Sequence, residues 1–495
     1  MLARMFGHFS RYASASLLLT LAGLISFPVL TRVFTVEQYG LLSYVGLVLT
    51  MLVGLAKLGM QHAAVRFRSE VEQPTEAGGG HGVDAYVATV VYGMTLTGLG
   101  VTLIWALLSQ VVPDAVWNHP LMKPLLLLTS GLVVVRSVES AFVNLLKADE
   151  RSSALGVFAV VRRYVELAAI LLTLFFVSRT LVGFYIATMT VEVLGLLVLV
   201  VWYCRTQRVS MAAFSPALFK TMLAYSIPMI GFELASVVLS LGDRYVIQNK
   251  LGAGDLGVYS AAYNLSDYIK IVLITSVASA VMPVYLRLHA QEGEAATLDF
   301  LQQVLHFYLM VSVPVVLGLV VVGEPLVALV ASSKYAAGAG IIPWVVAGMA
   351  LEGLLPIIGA ALYIQKRSRV ILQIVVVAAV VNIAANWLLV PVYGITGAAW
   401  ATFGSYALML LLALLASGGV LRLAVPWRAL AVFTAAALVM AAAVEQVSLG
   451  SVGVDLLARV VLGGVVYAVL MVLFDQRVKA LLPVFVRHLR ERFNR

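Results

Sequence analysis

The stretch LVVVRSVESAFVNLLKADERSSALGVFAVVRRYVEL, Leu132 to Leu167, decides how this chain is read. It consists of two apolar segments of membrane length joined by a short polar loop, Lys147–Ser153. Arg136 and Glu139 lie inside the first segment; Arg162, Arg163 and Glu166 lie inside the second. A charge near the middle of a spanning helix costs roughly 2.5–3.5 kcal/mol on insertion scales. Such residues face a bundle interior or a watery cavity, where they mark a site or pathway. Their spacing pairs Arg136 with Glu139 (i, i+3) and Arg162 with Glu166 (i, i+4) on one helix face. The competing reading is a set of structural clamps between helices. Three arginines against two glutamates leave a positive excess, which suits an anionic substrate.

Composition agrees with this reading. Of 495 residues, 62% are apolar and 12% charged, against about 45–50% and 25% in globular domains. The chain reads as an all-α polytopic membrane protein, and no loop is long enough for a catalytic domain. The single cysteine, Cys204, excludes a disulfide framework and Cys-based metal sites. The net charge of +9 reflects basic inner loops rather than nucleic-acid binding. The N-terminal run Leu17–Leu30 is followed by Thr31-Arg32 and not by a small-residue cleavage site, so it reads as an uncleaved first span.

Apolar stretches of about 20 residues, enough to cross ~30 Å of hydrocarbon, recur about fourteen times. They fall near 13–33, 41–61, 84–109, 124–146, 154–177, 181–203, 220–248, 256–285, 300–322, 339–363, 370–391, 394–417, 427–444 and 453–474. With the N-terminus inside, the inner segments hold 21 Lys and Arg and the outer segments six. The bias predicts an even number of spans and two cytoplasmic termini. The tail, 475–495, interleaves arginines with apolar residues and predicts a basic helix along the inner leaflet. The polar stretch Arg66–Val83, with Pro74 and Gly78-Gly79-Gly80, reads as a flexible cytoplasmic connection.

The chain also repeats. Tyr12…Gly40-Leu41-Leu42-Ser43 echoes Tyr225…Gly257-Val258-Tyr259-Ser260, and the opening of span six, Leu181–Thr188, echoes that of span twelve, Ile395–Thr402. Six spans return the chain to the same side, so the repeats are parallel, about an axis along the membrane normal. The expected organisation is a six-helix lobe over 1–203, a cytoplasmic linker 204–219, a second six-helix lobe 220–417, two added helices within 418–474, and the basic tail. A cavity between two such lobes is the expected transport site.

Several motifs resemble Wzx-type polysaccharide flippases. They are Phe27-Pro28-Val29-Leu30-Thr31-Arg32 leading to Glu37-Gln38-Tyr39-Gly40-Leu41-Leu42-Ser43, Leu58-Gly59-Met60-Gln61 with Val65-Arg66-Phe67, Asp243-Arg244-Tyr245-Val246-Ile247, Asp255–Tyr263, and Tyr393-Gly394-Ile395-Thr396-Gly397-Ala398-Ala399. The resemblance covers nearly the whole chain. It implies the multidrug/oligosaccharidyl-lipid/polysaccharide exporter superfamily and a MATE-like V of two six-helix bundles plus two C-terminal helices. It also implies a bacterial inner-membrane location and transfer of undecaprenyl-pyrophosphate-linked oligosaccharide for exopolysaccharide, capsule or O-antigen. Membrane lipids and a polysaccharide polymerase with export machinery are the implied partners, and nucleic acid is not one.

Such a substrate needs a cationic cavity, and Arg meets phosphate oxygens bidentately while staying charged. The candidate headgroup contacts are Arg136, Arg162, Arg163 and Arg244, followed by Lys57 and Lys270. Lys270 stands three residues from Asp267, so a simple ion pair competes there. Asp243 adjoins Arg244 and is not expected to share its helix face. Glu192, Glu233 and Glu352 are intramembrane carboxylates with no local partner in sequence. With Glu139, Glu166, Asp243 and Asp267 they are candidates for helix pairing or for coupling to a proton or sodium gradient. Tyr164, Tyr245, Tyr263 and Tyr268 are candidates to stack on sugars. No cofactor, resident metal or Walker motif is expected.

Two readings on the same fold compete: an ion-coupled drug or metabolite exporter, and a lipid II flippase. An enzyme, whether polysaccharide polymerase, ligase or glycosyltransferase, would need catalytic groups on a sizeable outer loop. The outer segments offer only Asp114, His119 and Glu324.

Overall fold

The computed structural model describes residues 2–72, 82–113, 117, 119–149, 151–271, 276–417, 421 and 423–480. Pro74, Gly78–Gly80, Asp114, Arg422 and the tail beyond residue 480 lie outside the described residues. The described residues form helices and turns, with no strand among them. In chain order the helices are α1 Leu2–Val33, α2 Val36–Lys57, α3 Met60–Glu72, α4 Val83–Val111, α5 Met122–Ala148, α6 Ser152–Leu172, α7 Leu181–Cys204, α8 Pro216–Leu241 and α9 Asp243–Lys250. They continue with α10 Ala253–Lys270, α11 Ser276–Glu292, α12 Glu294–Val330, α13 Ile342–Ile358, α14 Ala360–Ile364, α15 Ser368–Ala416, α16 Trp427–Glu445 and α17 Val452–Phe474.

Among the described residues, ten helical segments are long and apolar enough to cross a membrane. One of them is α15, whose 49 residues would measure roughly 70 Å if straight. It is not straight. Gly394 leaves helical geometry at φ 59°, ψ −144°, a region open to glycine and closed to residues with a Cβ. Three residues on, a Cβ at Gly397 would lie 2.5 Å from the Leu389 carbonyl oxygen. The two arms of α15 correspond to the expected spans 370–391 and 394–417.

Local sequence sets the other boundaries. Thr35 and Gln38 form a capping box at the start of α2, each side chain bonded to the other's backbone N–H at 3.1 Å. Thr180 caps α7 and accepts from Gly183 N–H at 3.2 Å. Ser215 caps α8, with Pro216 in the first turn where its missing N–H is harmless. Leu58 (φ 47°) and Gly59 (φ 68°) both turn left-handed and end α2 just after Lys57.

Two expectations are corrected. Residues 66–72 of the expected flexible connection are helical, as the end of α3, which packs on α5 and α8. The described residues of the expected span 256–285 are helical, within α10 and α11, and 272–275 lie outside them. The expected outer segment 323–338 is mostly helical: α12 runs to Val330, and a 3-10 helix follows over Ser333–Ile341. Apolar length sets where a helix can span, but helices extend beyond the hydrocarbon wherever their ends are capped or packed.

The chain forms two compact units, Met1–Gly257 and Val258–Arg495. In the first, α2, α3, α4 and α7 pack around α5, and α6 joins α1 to α7. Its core near the end of α2 includes Met60, Tyr86, Met94, Phe142, Tyr203 and Met222. The helices α8 and α9 pack in this unit, although sequence repetition groups them with the later spans. The reason is local to α3. The ring of Tyr225 on α8 lies under the Arg66 guanidinium at 4.9 Å and edge-on to Phe67. Gly59 lets the Ser226 backbone approach closely.

In the second unit, α13 packs along α15, and α12 carries α16 and α17. Tyr308 donates to the Ala350 carbonyl and Tyr467 to the Met310 carbonyl, both at 2.7 Å. His306 Nε2 on α12 lies 3.0 Å from Asp475 Oδ2, just past α17.

Candidate functional site

The intramembrane charges of the first unit meet across helices. Arg136 on α5 binds Glu192 on α7 bidentately: Nη2 donates to Oε1 at 2.8 Å, and Nε donates to Oε2 at 3.0 Å and to Oε1 at 3.2 Å. Arg162 on α6 donates through Nη1 to Glu139 on α5. Arg163 donates through Nη1 to Glu166, three residues along α6, at 3.2 Å. The expected local pairs, Arg136 with Glu139 and Arg162 with Glu166, are therefore replaced by two inter-helix pairs and one local pair. Arg136 and Glu139 do share a face of α5, but that face meets α6 and α7 together, and each residue finds a longer-range partner.

The expected positive excess also disappears. Glu192 supplies the third carboxylate, and the three arginines are matched one to one. The two ends of each pair differ in burial. The arginine side chains are 26–36% exposed and their carboxylates 5–14%. Each carboxylate is the more enclosed partner, and each guanidinium keeps N–H groups that its carboxylate does not engage. Gly195 on α7 makes room for this, since a Cβ there would lie 2.9 Å from Cδ of Arg162.

Lys57, the last residue of α2, has no carboxylate within ion-pair distance among the described residues. Glu233 on α8 accepts from the Gln61 amide of α3 at 2.5 Å. The Gln61 carbonyl oxygen is buried without a hydrogen-bond partner. Lys57 and Glu233 thus complete the charge balance without touching.

Arg244 differs from the other arginines. It is 3% exposed, and it donates through Nε to Ser43 Oγ and through Nη1 to the Ser240 carbonyl, both at 3.2 Å. Its neighbour Asp243 accepts from the Arg244 backbone N–H at 2.7 Å and lies 3.5 Å from Nη1. The expectation that these side chains could not meet is corrected. Gly242, itself in helical geometry, separates α8 from α9, and Asp243 Oδ1 turns toward the next residue, where it meets the backbone N–H and Nη1 of Arg244. Arg244 holds α9 to α2 and presents no open edge.

In the second unit, Lys270 on α10 pairs with Glu352 on α13 at 2.6 Å rather than with Asp267. Asp267, Lys270 and Glu352 belong to the second unit, and the arginine cluster to the first. All three carboxylates that had no partner in sequence thus have one in space: Glu192 with Arg136, Glu233 with Gln61, Glu352 with Lys270. Sequence reading missed Gln61, Ser43 and Ser240 as partners. Gln61 stood in a quoted motif, but nothing local tied it to α8.

Of the aromatic candidates, Tyr164 donates to the Leu18 carbonyl at 3.1 Å. Tyr263 is buried, its ring centroid 5.6 Å from that of Tyr259. Tyr245 is exposed. On the loops, His119 Nε2 lies 3.4 Å from Glu37. No group of three or more His, Cys, Asp or Glu suited to a metal ion occurs among the described residues.

No curated protein sequence matches the chain. Solved structures do match in fold. A lipid II flippase MurJ in an inward closed conformation superposes with a TM-score of 0.77 at 15% identity, over 94% of this chain and 99% of that one. An inward-facing multidrug resistance MATE transporter of the MOP superfamily gives 0.61 at 13% identity, over 81% and 93%. A point mutant of the Vibrio cholerae MATE transporter VcmN gives 0.57 at 16%, over 85% and 97%. These likenesses bear out the all-α, multi-pass fold implied by the sequence. A family model described as "Polysaccharide biosynthesis protein" matches residues 9–289, more than half of the 495. That match bears out the resemblance to polysaccharide flippases, and the chain belongs to the polysaccharide biosynthesis protein family.

Proposed function

We propose that the chain moves an undecaprenyl-pyrophosphate-linked oligosaccharide across the bacterial inner membrane by alternating access, supplying repeat units for a surface polysaccharide. The observation that carries this reading is the arrangement of Arg136, Arg162 and Arg163. Each is held by a carboxylate less exposed than itself and keeps N–H groups that this carboxylate does not engage. Guanidinium edges of this kind suit pyrophosphate oxygens. Lys57, unopposed at the end of α2, is the fourth headgroup contact. Lys270 is a candidate within its own unit, with its charge shared by Glu352. Arg244 is assigned to holding α9 rather than to the substrate.

No group in this reading performs covalent chemistry, so the protein is not an enzyme. Its energy comes from an ion gradient, of protons or sodium, or from consumption of the product by a polymerase. Both termini are cytoplasmic in this reading.

One alternative has a specific observation behind it. The lipid II flippase structure matches over 99% of its length, so a cell-wall precursor is the second candidate cargo. Gene deletion separates the readings. We expect an undecaprenyl-linked oligosaccharide to accumulate on the cytoplasmic side, with loss of surface polysaccharide. Wild-type protein rescues both effects, and the double variant Arg162→Ala, Arg163→Ala at matched level does not. Accumulated lipid II with intact surface polysaccharide establishes the alternative. Altered drug resistance with no accumulated lipid makes the protein an exporter.

A further inference from the structure

An arginine in a binding site is useful only if its plane is fixed. The guanidinium offers two bidentate edges, one formed by Nε and Nη2 and the other by Nη1 and Nη2. In Arg136 the first edge is fully taken, by both oxygens of Glu192. Glu192 is 4% exposed and held on α7, whereas Arg136 reaches it from α5 with a side chain 34% exposed. No partner engages Nη1 among the described residues. Three of the five N–H groups remain, and two of them form a second parallel fork facing away from Glu192.

Arg162 and Arg163 lack this geometry, since each meets its carboxylate through Nη1 alone. A single contact at Nη1 engages one of the two end-on nitrogens and lets the plane swivel about it. Arg136 is thus the one arginine of the three with its orientation fixed by a fork and its end-on edge intact.

We infer that Glu192 is a positioning residue: it holds Arg136 by the Nε–Nη2 edge so that the Nη1–Nη2 edge receives a pyrophosphate oxygen pair. This gives Glu192 a role other than carrying a coupling ion. It rests on the proposed function and adds a specific division of labour. Arg136 grips in a fixed plane, while Arg162 and Arg163 supply adaptable charge.

The test uses full-length protein in nanodiscs of phosphatidylethanolamine and phosphatidylglycerol. Affinities are measured for undecaprenyl pyrophosphate and for undecaprenol. Wild type is expected to prefer the pyrophosphate. Equal binding of the two lipids overturns the proposed function itself, whatever the variants do. Arg136→Lys keeps the charge and can still meet Glu192, but it has no second fork. Glu192→Gln leaves Arg136 in place without its anchor. Each is expected to weaken pyrophosphate binding about tenfold to a hundredfold, the range for hydrogen bonds to charged groups.

In the Arg136→Lys background, Glu192→Gln is expected to have no further effect on affinity. A purely structural role for Glu192 would lower the number of binding-competent molecules and leave their affinity unchanged. Wild-type affinity in either single variant overturns the inference. So does an equal loss from Glu192→Gln in both backgrounds. If Glu192→Gln yields no folded protein, Arg136→Lys decides alone: retained affinity overturns the inference and loss supports it.

Discussion

Gly40 on α2 and Gly257 on α10 stand with bare backbones against each other's helices. A Cβ on Gly40 would run into the Ala253 carbonyl, and one on Gly257 into the Val36 carbonyl. These are the glycines that open the matching motifs Gly40–Ser43 and Gly257–Ser260. The motif marks a close crossing, and close crossings in membrane helices depend on small residues because the bilayer supplies no hydrophobic drive between helices.

Gly40→Ala and Gly257→Ala should each destabilise the protein by about 1–3 kcal/mol through overpacking. Gly46, with nothing within 4 Å of its missing Cβ, is the internal control on the same helix. Thermal unfolding in detergent should show a lowered midpoint for the first two variants and none for Gly46→Ala. Equal midpoints for all three would refute the crossing.

The Arg162–Glu139 pair predicts a double-mutant cycle with strong coupling. Removing one member leaves a charge in a partly buried setting, so either Arg162→Gln or Glu139→Gln alone should cost about 2 kcal/mol. That value lies between the surface and fully buried limits. The double variant should recover most of the loss. Additive losses in thermal stability would mean the pair is not formed. Glu166→Gln combined with Arg162→Gln should show no such recovery, which separates the inter-helix pair from the local one.

At Gly394 the backbone needs a conformation that only glycine adopts without strain. Gly394→Ala should lower stability by about 1–3 kcal/mol. Gly404, also on α15 and with open space around it, should accept alanine. Folded yield on size-exclusion chromatography and the melting midpoint are the readouts. A Gly394→Ala protein as stable as wild type would argue against the kink.

Orientation has a direct test in the single cysteine. Cys204 is exposed at the end of α7, where the charge bias places the cytoplasm. A membrane-impermeant maleimide should leave intact spheroplasts unlabelled and modify Cys204 after permeabilisation. Labelling of intact spheroplasts would invert the assigned topology.

Much of the fold was legible because apolar run length is a local property. The spans expected at 13–33 and 181–203 needed only the sequence around them, and the helices there end at Val33 and Cys204. The boundary expected between 370–391 and 394–417 falls at the bend of α15 for the same reason. Partner choice was less legible. Arg136 and Glu139 have the spacing of a local pair, and nothing nearby in sequence says that α7 will bring Glu192 56 positions away to the same point. Helix order is a property of the whole bundle and leaves only oblique traces, such as Gly195 making room for Arg162. The buried state of Arg244 was equally hidden, since its serine partner on α2 lies 201 residues away.

That separation bears on how the protein is made. Gln61 meets Glu233 172 residues later in the chain, and Ser43 waits still longer for Arg244. At ribosomal rates of about 5–20 residues per second, the gap amounts to about 10–30 s. During that interval α2 and α3 are already emerging while α8 is still being synthesised, and the polar corner where α2 meets α3, at Lys57 and Gln61, has no neighbour from α8. The insertion machinery or the lipid headgroups must shelter that corner, which makes it the place where assembly of the first unit is most open to error.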